Sequence, residues 1–383
     1  MACDRREKCK EMSNVDEERL IKNFKNLVSI YSPSKKEGKV AEYIKDYAAK
    51  KHWDFTVDTA NKATGGDTGN IICWLPGISD EYVLVSAHMD TVEPAANKKI
   101  LIKDGIIRSD GTTILGADDE SGIAIMLEML EYFSSHRKPK VGIEAVFSIS
   151  EEIGLLGAKN LDYSLIRSKY AYILDSGGPI GTAIVKAPSH FNVDVKIHGI
   201  ASHAGAAPEK GVNAIKIAAD AISRMKIGRI DEETTANVGI IQGGKATNIV
   251  PDLCEIKGEV RSLTKSKVER FTDEMIKCYK EAASKNGGRV DVNKYMAYQG
   301  YTLLKDFMTV KEFTRATKAI GLIPMFVSSG GGSDANIYNQ HGIEAIDVST
   351  GMADVHTTHE HIKISDIVKL AELMIELYKN WKG

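Results

Sequence analysis

Two histidines and several clustered acids are the residues of this sequence whose types and spacing could do chemistry. His88 follows the apolar run YVLVSA (Tyr82 to Ala87), and Asp90 lies two residues on. An imidazole at the end of a buried strand is a natural metal ligand. A carboxylate on the same side of an extended chain can accept its N–H and fix its tautomer. Asp118, Asp119 and Glu120 stand together before Ser121 and Gly122. Such acids can simply cap a helix and complement its dipole; alternatively, one aspartate turns inward as a ligand. Glu151 and Glu152 follow GIEAVFSIS (Gly142 to Ser150). Adjacent carboxylates repel, and a nearby cation removes that cost. One could then bind metal while the other acts as general base on a metal-activated water. Asp175 closes the apolar run AYIL (Ala171 to Leu174), where a buried acid needs a partner. His356 and His359 lie in DVHTTHEH (Asp354 to His361). Each feature alone also has a plain reading as a surface histidine, a helix cap or a solvated acidic turn. As a set, His88, Asp118, Glu152, Asp175 and His356 combine imidazole and carboxylate without thiolate. With one carboxylate shared, that set suits two zinc ions with open positions. Two metals ~3.5–4 Å apart can activate a water and polarise a carbonyl.

Such residues need elements that bring them to one place. Asp16 to Ile30 reads as a helix, with Leu20, Phe24, Leu27 and Val28 on one face, and Lys39 to Lys51 as a second. Asn70 to Trp74, Tyr82 to Ala87, Gly142 to Ser148 and Ala171 to Leu174 are short apolar strands, with a helix at Ser121 to Phe133. Strands alternating with helices predict an α/β fold, its mostly parallel sheet flanked by helices on both faces. Ligands of such sheets bind outside the carboxyl ends of the strands, where these polar endings fall.

The middle of the chain has a different rhythm. His190 to His198 alternates apolar and polar residues, which predicts a half-exposed antiparallel strand. A helix at Gly211 to Met225, strands near Asn237 to Ile241 and Leu253 to Arg261, a helix at Lys265 to Ser284 and a strand at Arg289 to Tyr295 follow. This β-α-β-β-α-β order predicts an inserted two-layer α+β domain. The α/β pattern then resumes with a helix at Phe307 to Ile320, strands at Met325 to Ser328 and Ala345 to Ser349, and a closing helix at Ile364 to Trp381. The expected organisation is a discontinuous catalytic domain of residues 12–185 and 298–383, an inserted domain of residues 186–297 and a disordered extension of residues 1–11. Cys3 and Cys9 in that extension are a weak C-x5-C metal pair at most.

The chain has 383 residues, enough for two or three domains. Its 50 basic and 52 acidic residues leave a net charge of −2, which offers nucleic acid no basic surface. No apolar run approaches the ~18–20 residues that span a bilayer. The polar start lacks the apolar stretch of a secretory signal. The five scattered cysteines suit a reducing compartment, so a cytoplasmic protein is expected. No glycine-rich phosphate loop follows an early strand, which leaves nucleotide binding without support.

Five segments in order, SAHMDTVEP (Ser86 to Pro94), GADDESG (Gly116 to Gly122), SEEIGLLGAKNL (Ser150 to Leu161), LDSGG (Leu174 to Gly178) and VHTTHE (Val355 to Glu360), carry a resemblance. From Met12 onward the chain resembles the aminoacylase, glutamate carboxypeptidase and peptidase T family of dizinc hydrolases. The resemblance implies that His88 and Asp175 hold one zinc and Glu152 and His356 the other. Asp118 would bridge them through a turn with a cis peptide to Asp119. His356 rather than His359 matches the ligand, because it stands four residues before Glu360. Asp90 would orient His88, and Glu151 would move the proton from water to the leaving amine. Ala201 to Gly205 (ASHAG), with Pro208, Gly211, Val212 and Asn213, resembles the lid of dimeric members. This implies a homodimer through the inserted domain, with His203 steadying the oxyanion in the partner's site. Asn248 and Arg261 match positions that grip the substrate backbone or carboxylate. Gly330 to Asp334 (GGGSD) resembles a flexible segment whose backbone meets substrate.

GADDESG is most similar to the peptidase T branch. The sequence departs from that branch at Glu120, where Lys is usual, and in having LDSGG for an Asp-Gly-Gly form. The expected activity is removal of the N-terminal residue from short peptides, tripeptides above all, with two Zn2+ per subunit (Co2+ or Mn2+ as alternatives). An N-acyl amino acid deacylase or a carboxypeptidase is the alternative of the same chemistry. A non-catalytic peptide-binding relative is a third reading, disfavoured by the intact ligand set and Glu151.

Overall fold

A computed structural model describes residues 15–383, so the expected extension with Cys3 and Cys9 lies outside the described residues. The chain divides into two units. The first takes in the chain up to Val185 with Leu303–Ser328 and Ser333–Gly383; the second is Lys186–Thr302 with Ser329–Gly332.

In chain order the first unit starts with helices α1 (Glu17–Val28) and α2 (Gly38–Lys50) and strands β1 (Asp54–Val57), β2 (Ile71–Leu75) and β3 (Tyr82–His88). A hairpin of β4 (Ile100–Lys103) and β5 (Ile106–Ser109), helix α3 (Ala117–Ser135) and strands β6 (Gly142–Ser148), β7 (Tyr170–Ser176) and β8 (Thr182–Ala187) follow. The next elements are β9 (Ser189–His198), α4 (Ala214–Ser223), β10 (Gly228–Asp231), β11 (Thr234–Gly243), β12 (Leu253–Ser262), α5 (Lys265–Lys285) and β13 (Arg289–Tyr298). The chain closes with β14 (Tyr301–Thr302), α6 (Met308–Ala319), β15 (Met325–Ser328), α7 (Asp334–Gln340), β16 (Glu344–Ser349), β17 (His361–Lys363) and α8 (Ile364–Lys379).

The main sheet runs β1-β2-β6-β3-β7-β16-β8. Its centre, β6-β3-β7-β16, is parallel, and the outer strands are antiparallel. Every residue of β6 is buried, as a parallel strand covered on both faces requires. Helix α3 is buried over all of Ala117 to Phe133, which is why its sequence lacks a polar stripe. At Gly122 any side chain would meet Asp119, the Leu174 carbonyl and Ala87 within 3 Å, so a glycine lets α3 close onto β3 and β7. The buried Glu128 of α3 is matched by Arg19 of α1, whose guanidinium donates to both of its oxygens at 2.7 Å. The mixed α/β architecture is the one expected.

The second unit is an antiparallel sheet of order β10-β11-β12-β9-β13. One face packs Val193, Val195, Ile197 and Val260 against Ala218 of α4 and Phe271 and Tyr279 of α5. The other face carries the alternating polar residues of β9. The periodicity shows the long strands but not β10, the β4–β5 hairpin or β8. Strands β10 and β4 have at most half-buried side chains, so they carry no apolar alternation to read.

Candidate dinuclear metal centre

The parallel strands end level with one another. Ser86 pairs with Ile173, so His88 and Asp175, each two residues further on, stand side by side at the carboxyl ends of β3 and β7. His88 also pairs with Ser148, the last residue of β6, and Glu151 and Glu152 lie on the turn just beyond. Asp118 arrives from the start of α3, where Asp118 and Asp119 leave helical geometry and the peptide between them is cis. His356 comes from the loop between β16 and β17.

His88 Nε2 lies 2.9 Å from Asp118 Oδ1 and 3.5 Å from Asp175 Oδ1. His356 Nε2 lies 3.2 Å from Asp118 Oδ2 and 2.9 Å from Glu152 Oε1. The donor atoms thus form two groups, His88–Asp118–Asp175 and Asp118–Glu152–His356, each spanning no more than 4.8 Å. Asp118 belongs to both and offers one oxygen to each. The five residues that the sequence singles out as ligands are the members of these groups.

Asp90 plays a different part from the one its spacing suggests. Its main-chain carbonyl is the nearer partner of His88 Nδ1, at 2.7 Å, against 3.5 Å for its carboxylate. The carboxylate accepts the Glu151 and Glu152 N–H groups at 2.9 and 3.2 Å and the Ser34 hydroxyl at 2.6 Å. A carbonyl at Nδ1 holds the proton there and leaves Nε2 to face the carboxylates, the arrangement a metal-binding imidazole needs. Asp90 therefore fixes the histidine with its backbone and the glutamate turn with its side chain.

The charges in this pocket do not balance within the protein. Burial raises the proton affinity of Glu151 well above the usual carboxylate range, and Asp175, Asp334 and Glu152 push it further. Asp175 is raised by burial and then by Asp118, and Glu152 chiefly by burial. Behind them burial lifts Asp334 to about 6 and Asp347 to about 7. Asp118 alone is lowered, because both imidazoles bond it and outweigh its burial. Its hydrogen bond, with that of Glu152, raises His356 to about 10. A cluster of buried acids around two imidazoles is a donor set for divalent cations, and oxygen and nitrogen without sulfur suits zinc, cobalt or manganese. The residues fit two such ions sharing Asp118.

A proton must leave when metal enters. Without metal, His356 keeps its proton from neutral pH up to about pH 10, well above the ~6.5 of a free imidazole. The ligating form is neutral, so metal loading at pH 7.5 is expected to release protons, and affinity to fall as pH falls. Calorimetric titration in buffers of different ionisation enthalpy measures this; an uptake heat independent of buffer would contradict it.

The remaining predicted residues lie in the second unit. His203 Nδ1 accepts the Gly205 and Ala206 N–H groups at 3.2 and 3.1 Å, which leaves Nε2 as an exposed donor. Asn248 is its neighbour: its carbonyl accepts the Ala204 N–H at 2.9 Å, and His203 pairs with Ile249. Arg261 sits in another cluster. Its guanidinium is bidentate on Glu259 at 3.0 Å for both bonds, and Nη1 reaches the Tyr298 hydroxyl at 3.4 Å. His190 and then Arg261 hold the Glu259 carboxyl down at about 2. Arg261 therefore already has an internal anion, which its sequence position does not reveal.

Further buried acids shape the site, and two of them, Glu37 and Asp347, carry no sequence signal. Glu37 accepts the Ser150 N–H at 2.9 Å, and Asp347 accepts the Asp175 N–H at 3.2 Å. Asp334 of the GGGSD segment is buried and takes the Ser148 hydroxyl at 2.6 Å, while Ser333 caps α7. Glu120 is buried too; burial raises it to about 7 against the attraction of Lys98.

An α/β sheet that gathers two imidazoles and three carboxylates at its strand ends is the framework of a metallohydrolase. The chain matches the description "Peptidase family M28" over residues 70–205 and "Peptidase dimerisation domain" over residues 187–287. It is 30% identical to Peptidase T of Fusobacterium nucleatum over 300 residues, 75% of this chain and 70% of that one. The crystal structure of aminopeptidase PepT from Bacillus cereus superposes with a TM-score of 0.85 at 40% identity, covering 96% of this chain and 99% of that one. A tripeptidase structure from Staphylococcus aureus superposes with a TM-score of 0.90 at 37% identity, covering 95% and 98%. The chain belongs to the peptidase T-like branch of the M20 metallopeptidases.

Proposed function

We propose that this protein is a dizinc aminopeptidase that removes the N-terminal residue of short peptides, tripeptides foremost. The observation that carries the reading is the pair of donor groups sharing Asp118, beside the buried Glu151 on the Glu152 turn. Relatives covered almost end to end bear the names aminopeptidase and tripeptidase, which supports this reading over a deacylase or carboxypeptidase.

His88 and Asp175 would hold one divalent cation, Glu152 and His356 the other, and Asp118 both. Bound there, the cations would polarise a peptide carbonyl and lower the pKa of a water. Glu151 would take a proton from the attacking water and return it to the leaving amine, a task that suits a carboxylate whose surroundings raise its proton affinity. Asp90 holds the Glu151 backbone in place. We assign His203, fixed as an Nε2 donor, to the developing oxyanion in the partner subunit's site, and Asn248 and Arg261 to the substrate backbone or carboxylate, Arg261 through the Nη1 edge that Glu259 leaves.

The discontinuous first unit is the catalytic domain in this reading, and the second forms a homodimer, as the dimerisation-domain match supports. A cytoplasmic location is part of the same reading. Cys73, Cys254 and Cys278 are free thiols, as in a reducing compartment. No helix among the described residues is long and apolar enough to cross a membrane.

Incubation of the zinc-loaded protein with free tripeptides, N-blocked tripeptides, dipeptides and N-acetyl amino acids, read by mass spectrometry, tests the assignment. Loss of the first residue from free tripeptides alone is expected. Consumption of blocked substrates would transfer the protein to the deacylase or carboxypeptidase side. No cleavage with both metals bound would favour a binding protein.

A further inference from the structure

We propose that Glu360 is a positioning residue that sets the second metal site, by fastening the Asp118 turn and the His356 loop to one carboxylate. This rests on the dinuclear reading of the site. Glu360 is 1% exposed and is a member of neither donor group. Its Oε2 accepts the N–H groups of Leu115 and Gly116 at 2.8 and 2.7 Å, and its Oε1 accepts that of Asp118 at 3.0 Å. A buried carboxylate is costly unless hydrogen-bonded, and here three main-chain donors from one turn satisfy it. That turn reverses at Gly116, with φ of +83°, and delivers Asp118 to the site.

The same residue ends the loop that presents His356. Ala353 and His361 close the loop's base with a reciprocal pair of backbone bonds at 3.0 and 3.1 Å. Within it the Thr357 hydroxyl bonds the Asp354 carbonyl at 2.7 Å. Asp354 and His356 take left-handed φ values of +53° and +62°, so the loop has one tight shape. It continues directly into β17, which pairs with β5. Glu360 is therefore the point where the His356 loop is tied to the turn carrying Asp118. Two of the three ligands in the Asp118–Glu152–His356 group depend on this tie. In the other group His88 and Asp175 are held by the registered strands β3 and β7, and Asp118 alone depends on it.

The consequence is an asymmetry between the two metals. Glutamine at this position keeps size and burial but turns one oxygen into an amide N–H2, which meets N–H donors head on. One anchor of the turn is lost, and the site that relies on it most loosens. Loss of a partner beyond the ligands typically costs ~10–100-fold in metal affinity.

The experiment uses the full-length zinc-loaded enzyme and its Glu360→Gln variant, dialysed against graded chelator, with zinc per chain counted by mass spectrometry. The expected result is a second zinc released at ~10–100-fold higher free zinc than in the wild type, and a first zinc within ~3-fold of it. Turnover is expected to follow second-site occupancy and to return on adding zinc, with KM unchanged. His356→Ala is the reference for loss of that site alone. Equal weakening of both equivalents, or of neither, would overturn the proposal. If Glu360→Gln does not fold, Glu360→Asp keeps the charge and shortens the reach, and the same asymmetry is required of it. A wild-type enzyme holding fewer than two zinc ions would instead refute the dinuclear reading, and this proposal with it.

Discussion

Replacing Glu151 by glutamine is expected to lower turnover by about 10²–10⁴-fold while both metals stay bound. Glu151 belongs to neither donor group, so its removal leaves the ligands in place. Its backbone is fixed by Asp90 on one side, and its carbonyl accepts the Gly154 and Leu155 N–H groups at 2.9 and 2.7 Å on the other. Glutamine keeps that turn but cannot take up a proton. The measurement is kcat on a free tripeptide beside zinc content by mass spectrometry. Retention of more than a few per cent of activity would show that another group moves the proton. The pH profile adds a second reading. A base with raised proton affinity is progressively disabled as pH falls, so the wild-type rate is expected to drop on the acid side. The residual rate of the variant should not share the part of that limb due to Glu151.

Asp118→Ala is expected to take zinc content below one per chain under conditions that saturate the wild type, and activity to background. The reason is its double membership: one carboxylate oxygen faces His88 and the other His356. Removing it deprives each donor group of a third of its ligands at once, whereas Asp175→Ala or His356→Ala leaves one group whole. Counting metal in the three variants separates a bridge from two independent sites. If Asp118→Ala still held one zinc as tightly as the wild type does, the bridging role would fail. Circular dichroism on the metal-free proteins keeps the comparison to folded chains.

The two experiments bear on different layers of the site. Glu151 concerns the movement of a proton, and Asp118 concerns whether the metals are present. The Glu360 measurement concerns a third layer, the hydrogen bonds that hold a ligand loop. Asp90, Glu37, Asp347 and Glu360 each accept backbone N–H groups from a turn or strand end that carries, or immediately precedes, a ligand or Glu151. The active end of the sheet is therefore set by buried carboxylates as well as by strand register.

The sequence by itself determined the layered α/β plan and the clusters of acid and imidazole that fall at its strand ends, whereas the choice of ligand within each cluster rests on the family resemblance. The physical reason is that plan and clusters are both local: His88, Glu151 with Glu152, and Asp175 each follow an apolar run whose length and composition mark a buried strand. The change to alternating residues at His190 marked the second unit for the same reason. What the tertiary structure alone decided are the partnerships between distant segments. Nothing near Asp118 in the chain shows that it lies between His88 and His356, 30 residues before it and 238 after it. Nor does anything near Asp90 show that its carboxylate is taken by the glutamate turn and its carbonyl by His88. Glu259 neutralises Arg261 two residues along the same strand, yet only the pleat, with His190 on the adjacent β9 and Tyr298 on β13 beyond it, makes that cluster. Glu360 reaches back more than 240 residues to the Asp118 turn. Apolar periodicity reports which side of an element faces the core. A single buried carboxylate has no period, and its partner is set by how the elements pack.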